Sequence, residues 1–325
     1  MSKRRRIGTG MVAYALAMSC SVTAQAQPKS RDAETSPGIF ELQDDTISAS
    51  FDLRELEHLV ITDRLHHAQI SVPEPFAILL RDGRVYSARN VRMDGEVAAH
   101  ELAANPQASR LAERVRGKGV DVSLESADHS LHIIWSIALR DGSNYIRQVF
   151  TITAKSGDVP IERVQLIDAT LDDAHVVGSV DGSPIVAVNW FLGFEHPMSH
   201  AKVTAGRATS WIDRDLPLRA GQSVTYSSVI GVARTGQMRR DFLAYLERER
   251  AHPYRTFLHY NCWYDLARGN DYDAASAVDR ISAFGRELTE KRGVKLDSFL
   301  FDDGWDNHSS LWKFNAGFPD GFTPL

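Results

Sequence analysis

The alternation of apolar and polar side chains between residues 38 and 222 constrains the fold of this 325-residue chain more than any other feature. Successive side chains of a strand point to opposite faces, so a strand with one buried face is apolar at every second position. The runs that show this alternation are Thr46–Leu53, Phe76–Leu80, Val120–Leu124, Leu131–Leu139, Tyr145–Ala154, Arg163–Ala169 and Pro184–Trp190, and Val224–Val232 follows as the last strand. Many short strands of this kind predict an antiparallel β-sandwich.

Turn-forming residues separate these runs. Segments 81–83, 140–143, 155–158 and 181–183 each contain a glycine beside aspartate or serine, residues that favour tight reversals of the chain. No linker-like stretch interrupts the region. We therefore predict one β-sandwich domain over residues 38–235 rather than two smaller domains.

Beyond residue 235 the spacing of the apolar residues changes to that of a helix. Apolar side chains then fall on one helical face, which predicts a helix that connects two domains across residues 236–252. The residues on this face are Met238, Phe242, Tyr245 and Leu246.

Residues 253–325 follow a third pattern, in which a strand, a helix and a strand succeed one another. Thr256–Tyr260 and Leu296–Phe301 are predicted as strands, and the second ends in three consecutive apolar residues, as expected for a strand that is buried on both faces. Tyr272–Arg292 between them has the period of an amphipathic helix. The order predicts a βαβ unit with two parallel strands.

The helix between these strands has recognisable ends. Asp271 or Asp273 can cap its start, and Gly293 can end it. Its predicted buried face consists of Ala274, Val278, Ile281, Phe284 and Leu288.

The amino terminus has the order of a secretory signal peptide. Four positive residues at positions 3–6 precede an apolar stretch over residues 7–22, and an Ala-Gln-Ala cleavage motif ends at Ala26. We expect residues 1–26 to be removed, the protein to be exported to the periplasm or the extracellular space, and residues 27–37 to form a polar linker.

Charge and cysteine content exclude several kinds of partner. Removal of the four positive residues moves the formal net charge from −5 to −9, and an acidic chain without a basic stripe is a poor nucleic-acid binder. Cys20 leaves with the signal peptide, so Cys262 has no intrachain partner and no disulfide is expected. We expect no membrane span in the mature chain, no metal and no cofactor.

Asp302 and Asp303 directly follow the second predicted strand of the βαβ unit. Ligands of parallel α/β folds bind at this carboxyl end of the strands. Two adjacent carboxylates can accept hydrogen bonds from neighbouring sugar hydroxyls, Gly304 allows a sharp turn, and Trp305 offers a flat apolar face. The first strand ends in side chains of the same kinds: Asn261, Trp263, Tyr264 and Asp265. The pattern indicates a sugar-binding rim.

Two other interpretations apply to the same residues. An Asp-Asp-Gly sequence is common in solvated turns, although here it ends an apolar run. The acidic residues at positions 302, 303 and 306 also cluster as in a calcium loop, but Trp305 and the missing glutamate at the twelfth position do not fit an EF-hand.

Three segments resemble the start of the catalytic barrel of the α-galactosidase clan, above all that of bacterial relatives of glycoside hydrolase family 36. Residues 258–266 and 298–306 contain the two strand ends, and residues 311–322 contain a Phe-Pro-Asp-Gly-Phe phrase similar to the loop after the family's second strand. The resemblance covers residues 257–325. The upstream β-region is similar to the family's N-terminal sandwich in kind and order only.

The resemblance implies a (β/α)₈ barrel that hydrolyses terminal α-galactosides, or α-N-acetylgalactosaminides in some members, with retention. Retention needs a nucleophile and an acid/base carboxylate about 5–5.5 Å apart, and the family carries both on later strands. Matched to the family, Asp302 and Asp303 bind sugar hydroxyls, Trp263 and Trp305 form walls of the pocket, and no residue of this chain is catalytic.

The sequence also departs from the family. No Lys-x-Asp motif, which carries the nucleophile in the family, follows Asp303, and a complete barrel takes about 250 residues. We therefore expect a chain that is truncated within the barrel and inactive alone. Two alternatives stay open, a non-catalytic carbohydrate-binding remnant and an α-N-acetylgalactosaminidase; a raffinose synthase-like transferase is disfavoured by the signal peptide. Each implies an oligosaccharide or glycoconjugate partner.

Overall fold

The computed structural model of the chain describes residues 39–52, 56–95, 97–267 and 272–325. The expected signal peptide and the linker over residues 27–37 lie outside these ranges. Within the ranges, no helix is long and apolar enough to cross a membrane.

The chain divides into two compact units. Of the described residues, those within 39–101 and 118–238 form the first unit, and those within 102–117 and 239–325 form the second. The described residues before position 233 form eighteen β-strands and one short 3₁₀ helix, Leu111–Arg114.

The strands are numbered in chain order. They are β1 Ile39–Gln43, β2 Ile47–Asp52, β3 Leu59–Asp63, β4 Ala68–Val72, β5 Ala77–Leu80, β6 Val85–Ser87, β7 Arg92–Met93, β8 Ala98–Leu102, β9 Gly117–Glu125, β10 Leu131–Arg140, β11 Tyr145–Ala154, β12 Ile161–Thr170, β13 His175–Val176, β14 Ile185–Ala187, β15 Trp190–Phe194, β16 Ser199–Thr204, β17 Arg207–Asp213 and β18 Ser223–Val232.

These strands form three sheets. The first has the order β1-β2-β3-β4, and the second has the order β16-β17-β12-β5-β6. The third has nine strands in the order β13-β14-β15-β18-β11-β10-β9-β7, with β8 beside β9. Neighbouring strands run antiparallel, as in the pairs β10–β11 and β11–β18. The predicted antiparallel β architecture is confirmed.

The three sheets share one hydrophobic core. The ring of Trp135 on β10 lies 5.3 Å from that of Phe51 on β2 and 5.5 Å from that of Phe76, measured between centroids. Phe76 lies 4.7 Å from Phe150 on β11. All four rings are at most 2% exposed. Large aromatic rings remove much apolar surface from water, so this cluster is a main source of the unit's stability.

A buried amide satisfies the polar atoms within this core. Gln148 is 5% exposed and accepts a hydrogen bond from the Trp135 indole nitrogen at 2.9 Å. Its amide nitrogen donates to the Leu166 carbonyl at 2.5 Å and to the Ser228 hydroxyl at 2.7 Å. Because an unpaired amide is costly in an apolar interior, these contacts favour one packing arrangement of the sheets.

The predicted turns between the strands are confirmed. A glycine in each of them has a positive φ, a conformation that a side chain with a Cβ rarely adopts. The four glycines are Gly83, Gly142, Gly157 and Gly182, with φ of +86°, +66°, +88° and +75°.

The single strand predicted over Pro184–Trp190 is wrong. The chain instead forms β14 and β15, with Ala187 paired to Trp190, so that Val188 and Asn189 make a two-residue hairpin loop. Val188 has a φ of +50°. Because β-branched residues rarely adopt this conformation, the sequence carried no signal for the turn. The other predicted runs lie on β2, β5, β9, β10, β11, β12 and β18, except that Leu53 is outside the described residues.

Besides the 3₁₀ helix Leu111–Arg114, the second unit contains two α-helices, a pair of strands and short helical segments beside them. The elements are α1 Met238–Glu249, β19 His259–Asn261, a 3₁₀ turn Cys262–Tyr264, α2 Ala274–Phe284, a π-helical continuation Gly285–Glu290 and β20 Ser298–Leu300. β19 and β20 pair in parallel, with Tyr260 opposite Phe299 and Asn261 opposite Leu300. The predicted order of strand, helix and parallel strand is confirmed. A barrel beyond these two strands stays a prediction.

The predicted apolar face of α1 is only partly buried. Tyr245 is 5% exposed, whereas Leu246 is 37% exposed. Asp241, four residues before Tyr245 and therefore on the same side of the helix, is buried instead.

The ends of α2 agree with the sequence, but its buried face is displaced. The Asp273 carboxylate accepts a hydrogen bond from the Ser276 amide at 2.8 Å, and Gly293 follows with a φ of +66°; the alternative cap, Asp271, lies outside the described residues. Ala277 is fully buried, whereas Val278, which was predicted as buried, is 36% exposed. The true face is centred on Ala277 and Phe284, which lie seven residues apart.

The prediction that the second strand is buried on both faces is wrong for β20. Leu300 is 43% exposed. The ring of Phe299 lies 5.6 Å from that of Tyr260 and 6.4 Å from that of Phe284 on α2. Neighbouring strand residues point to opposite faces, and among the described residues α2 covers only the face that holds Phe299.

We expect two glycine substitutions in the first unit to have opposite outcomes. A Cβ at Gly231 on β18 would lie 2.1 Å from the ring of Phe191, whereas a Cβ at Gly193 on β15 would have its nearest neighbour at 3.9 Å. Overpacking should make Gly231→Ala lower the free energy of unfolding by roughly 2–3 kcal/mol. Gly193→Ala should change it by less than about 1 kcal/mol. Urea denaturation measures both, and equal midpoints would contradict the expectation.

Candidate functional site

The parallel register brings the carboxyl ends of β19 and β20 together. Asn261 lies opposite Leu300, so Cys262 and Asp302 follow the two strands at the same edge of the sheet. The Asp302 amide donates a hydrogen bond to the Cys262 sulfur at 3.0 Å. The predicted meeting of the two strand ends is therefore present as a direct contact.

The turn after β20 carries both predicted sugar-binding carboxylates. Asp302 is half-buried, and the side chain of Asp303 is 54% exposed. One oxygen of Asp302 accepts from the Asp303 amide at 2.9 Å, and one oxygen of Asp303 lies 3.0 Å from the His308 ring. Within the described part of the chain, the second oxygen of each carboxylate makes no hydrogen bond. Both side chains thus keep an acceptor for a ligand.

The backbone of this turn is held from outside. The Tyr272 hydroxyl donates to the Asp302 carbonyl at 2.9 Å. The carbonyl of Gly304, whose φ is +104°, accepts from the Tyr272 amide at 3.2 Å and from the Asn315 side chain at 2.8 Å. The sequence did not single out Tyr272 or Asn315, and no local pattern marks either residue as a turn partner.

Trp305 packs among other aromatic rings. Its centroid lies 6.1 Å from Trp312 in a stacked arrangement, 5.3 Å from Phe314 and 5.2 Å from Phe322. Trp312 is 71% exposed and has a φ of +56°. The indole of Trp305 is half-buried in this cluster, so only part of its face is open to a ligand.

The four residues at the end of β19 have different environments. Trp263 is 38% exposed and Tyr264 is 84% exposed. Asn261 caps the following 3₁₀ turn by accepting from the Trp263 amide at 2.8 Å. Asp265 accepts from the Tyr260 hydroxyl at 2.8 Å and from Arg280 on α2 at 2.6 Å. All four side chains are exposed, and Trp263 and Tyr264 offer aromatic surface to a ligand.

An open cleft of about 520 Å³ lies beside the start of α2. Its walls include Asp265, Asp273 and Arg280, together with Tyr272 and Asn315, the two residues that hold the Asp302–Gly304 turn. The two carboxylates and the two tryptophans that were predicted as site residues do not line this cleft.

Electrostatic contacts keep Asp265 charged and Tyr260 neutral. Burial acts to raise the pKa of the Asp265 carboxyl, but the hydrogen bonds from Tyr260 and Arg280 outweigh it, and this pKa lies below its ordinary value. Burial and the neighbouring Asp265 carboxylate raise the pKa of the Tyr260 hydroxyl. Asp265 is thus an ion-pair partner rather than a proton donor.

Three residues near the turn offer potential metal ligands. One ligand atom each of Asp303, Asp306 and His308 lies within 4.8 Å of the others. The hydrogen bond between His308 and Asp303 accounts for this grouping without an ion, and all three side chains come from one short segment. The cluster is weaker than a calcium loop, which supplies six or more oxygen ligands.

Comparisons with known proteins support the fold. No family model and no curated protein matches the chain. Among solved structures, the α-galactosidase from Lactobacillus brevis is similar, with 12% identity and a TM-score of 0.52 over 84% of this chain and 49% of that one. At this identity the similarity shows the fold alone.

Two further solved structures are less similar. The GH36 α-galactosidase AgaB from Geobacillus stearothermophilus has 15% identity and a TM-score of 0.49 over 83% of this chain and 50% of that one. The α-N-acetylgalactosaminidase NagBb from Bifidobacterium bifidum has 12% identity and a TM-score of 0.42 over 82% of this chain and 52% of that one. This chain spans about half the length of each matched structure.

We expect Arg280→Gln to raise the pKa of Asp265 toward about 3.9, the ordinary value for aspartate, because the variant loses the cation bound to this carboxylate. The folded pKa of Asp265 is depressed, so its contribution to stability is present above the unfolded pKa and is lost as pH falls through the folded pKa. An NMR titration of the carboxyl carbon measures the shift. Arg286→Gln, whose arginine pairs with Glu287 instead, is the control and should leave this pKa unchanged.

Proposed function

We propose that this chain supplies the sugar-binding rim of an exported glycoside hydrolase that acts on terminal α-galactosides with retention. Asp302 and Asp303 accept hydrogen bonds from hydroxyls of the terminal sugar, and Trp263 and Trp305 form walls of its pocket. No residue of the described chain is proposed as the nucleophile or the acid/base.

One observation carries this proposal. Asp302 and Asp303 lie on a turn at the carboxyl end of β20, and the backbone of that turn contacts the end of β19. In parallel α/β folds, side chains at this edge bind the ligand. The proposal thus depends on the placement of the carboxylates and not on their residue type alone.

The chemistry of the pair suits a neutral polyhydroxylated ligand. A carboxylate accepts hydrogen bonds through two oxygens, and bonds to a charged acceptor are stronger than those between neutral groups. Asp302 and Asp303 each use one oxygen within the turn, which leaves two acceptors for two neighbouring hydroxyls. An uncharged sugar avoids the repulsion that an anionic ligand would meet.

The fold similarity is consistent with this assignment. The α-galactosidase from Lactobacillus brevis aligns with 84% of this chain, at 12% identity. We take from it the expectation that galactose is the terminal sugar, and the binding experiments below test that expectation directly.

We expect the chain to bind methyl α-galactoside saturably, and Asp303→Ala to abolish measurable binding because the exposed carboxylate of the pair is lost. Isothermal calorimetry measures the affinity. Asp320→Ala is the matched control, since it removes an exposed aspartate from the same segment and should leave the affinity unchanged. Methyl α-glucoside, which differs only at the 4-hydroxyl, should bind at least about tenfold more weakly.

The outcomes of this experiment separate the alternatives. Preference for the N-acetylgalactosaminide over the galactoside would replace the proposed sugar with the N-acetylated one. Equal binding of galactoside and glucoside would contradict a galactose site. Failure of the wild type to bind any of these sugars would overturn the proposal.

We further propose that residues 1–26 direct export. The support for this is the sequence itself, with positive residues at positions 3–6 and the Ala-Gln-Ala motif that ends at Ala26. Expression in a Gram-negative bacterium should place the protein in the periplasm or the medium. Amino-terminal sequencing should begin at Gln27. A cytoplasmic chain that retains Met1 would contradict the proposal.

A further inference from the structure

We propose that Cys262 and Tyr272 are positioning residues that hold the backbone of Asp302 and thereby aim the carboxylate pair at the sugar. This inference rests on the proposed function for its sugar-binding role. The hold itself is a separate property of the protein and can be measured without a ligand.

Both main-chain polar groups of Asp302 are bound to buried side chains. Its amide donates to the Cys262 sulfur at 3.0 Å, and its carbonyl accepts from the Tyr272 hydroxyl at 2.9 Å. Cys262 is 0% exposed and Tyr272 is 7% exposed. Asp302 lies just beyond the last residue of β20, so its main-chain groups have left the strand ladder and need partners elsewhere.

The two side chains also contact each other and close a ring of hydrogen bonds. The Cys262 thiol donates to the Tyr272 hydroxyl at 3.6 Å, a distance compatible with a sulfur donor. The thiol therefore accepts from Asp302 and donates to Tyr272, while Tyr272 donates to Asp302. Every donor in the ring has an acceptor, so the alternative orientations of the peptide at Asp302 would each leave a buried group unpaired.

The protonation of Tyr272 suits its part in the ring. Burial and the neighbouring thiol raise the pKa of its hydroxyl. The phenol therefore keeps its proton and serves as a donor to the Asp302 carbonyl throughout the neutral and moderately alkaline range. An ionised phenolate would be unable to make this bond.

A second contact fixes the other end of the turn. The Asn315 side chain donates to the Gly304 carbonyl at 2.8 Å, and its amide donates to the Trp305 carbonyl at 3.0 Å. Asp303, between these two anchored positions, has its own amide bound to the Asp302 carboxylate at 2.9 Å. Because hydrogen bonds fix the backbone on both sides of Asp303, the backbone sets the direction in which the Asp303 side chain leaves the turn.

A purely structural role for Cys262 would be to fill space in the small core of the second unit. Such a role predicts lower stability in a Cys262 variant with no particular effect at Asp302. A positioning role predicts a local change at Asp302 and a loss of sugar affinity beyond the change in stability. The two roles therefore separate experimentally.

The experiment uses the whole chain with the variants Cys262→Ala, Cys262→Ser and Tyr272→Phe. Without ligand, NMR hydrogen exchange of the Asp302 amide should become about tenfold faster in Cys262→Ala, which loses the acceptor. Cys262→Ser restores an acceptor and a donor, so exchange should return toward the wild-type rate. Tyr272→Phe should speed exchange to a smaller extent, because it removes the bond to the carbonyl and keeps the sulfur.

Calorimetry with methyl α-galactoside then tests the sugar-binding role. Cys262→Ala and Tyr272→Phe should each weaken binding by about tenfold, which corresponds to roughly 1.4 kcal/mol, and Cys262→Ser should recover most of the affinity. Phe284→Leu is the control for packing, since Phe284 contacts Tyr260 and Phe299 in the same core. It should lower the thermal midpoint and leave both the affinity and the exchange rate of the Asp302 amide unchanged.

Each outcome bears on one of the two proposals. An unchanged Asp302 exchange rate in both Cys262→Ala and Tyr272→Phe would overturn the positioning inference, whatever the sugar result. Faster exchange with unaltered galactoside affinity would overturn the link between the hold and sugar binding. If the wild type binds no sugar, the proposed function fails, while the exchange data still decide whether the ring holds Asp302.

Discussion

The polar groups of the backbone must find partners wherever a strand ends, and this constraint shapes the candidate site. β20 has a single neighbouring strand among the described residues, and its last paired residue is Leu300. The groups that follow are bound by Cys262, Tyr272 and Asn315, which come from three other segments. The backbone that carries the two carboxylates is therefore held by residues from other parts of the sequence. None of these three hydrogen bonds involves a carboxylate group of the pair.

Both units contain buried polar side chains, but the apolar cores around these side chains differ in size. In the first unit, Gln148 satisfies its neighbours inside a core shared by three sheets. The buried core of the second unit is small and consists of Tyr260, Cys262, Ala267, Tyr272, Ala277 and Phe318. Two of these six residues, Cys262 and Tyr272, also bind the turn. Where little apolar surface is buried, hydrogen bonds set a larger share of the local geometry.

The sequence predicted the parts of the fold that depend on periodicity. The antiparallel β architecture, the helix cap at Asp273 and the parallel pair β19–β20 follow from local patterns of residue type. The hairpin at Val188 was missed because a β-branched residue occupies a conformation that usually marks glycine or asparagine. The predicted burial of Leu300 is too high, since the residue is 43% exposed. An apolar run in the sequence does not indicate which face of its strand is packed against another element.

The candidate site was predictable only in part for a related reason. Asp302 and Asp303 could be singled out because they end an apolar strand, a local signal. Tyr272 and Asn315 contact the turn only through the fold, and in the sequence they are typical of a helix start and a surface loop. Their roles depend on distances to atoms that are 10 to 32 residues away in the chain, which no local pattern encodes.

Because Cys262 is completely buried, the reactivity of its thiol can measure local opening of the second unit. A thiol reacts with an external reagent as the thiolate and only when the reagent can reach it. If the signal peptide is removed, Cys262 is the single thiol of the mature chain. Its rate of labelling under native conditions then measures how often the end of β19 separates from the turn after β20. A ligand that closes this edge should slow that rate, and the slowing gives a readout of occupancy without any label on the ligand.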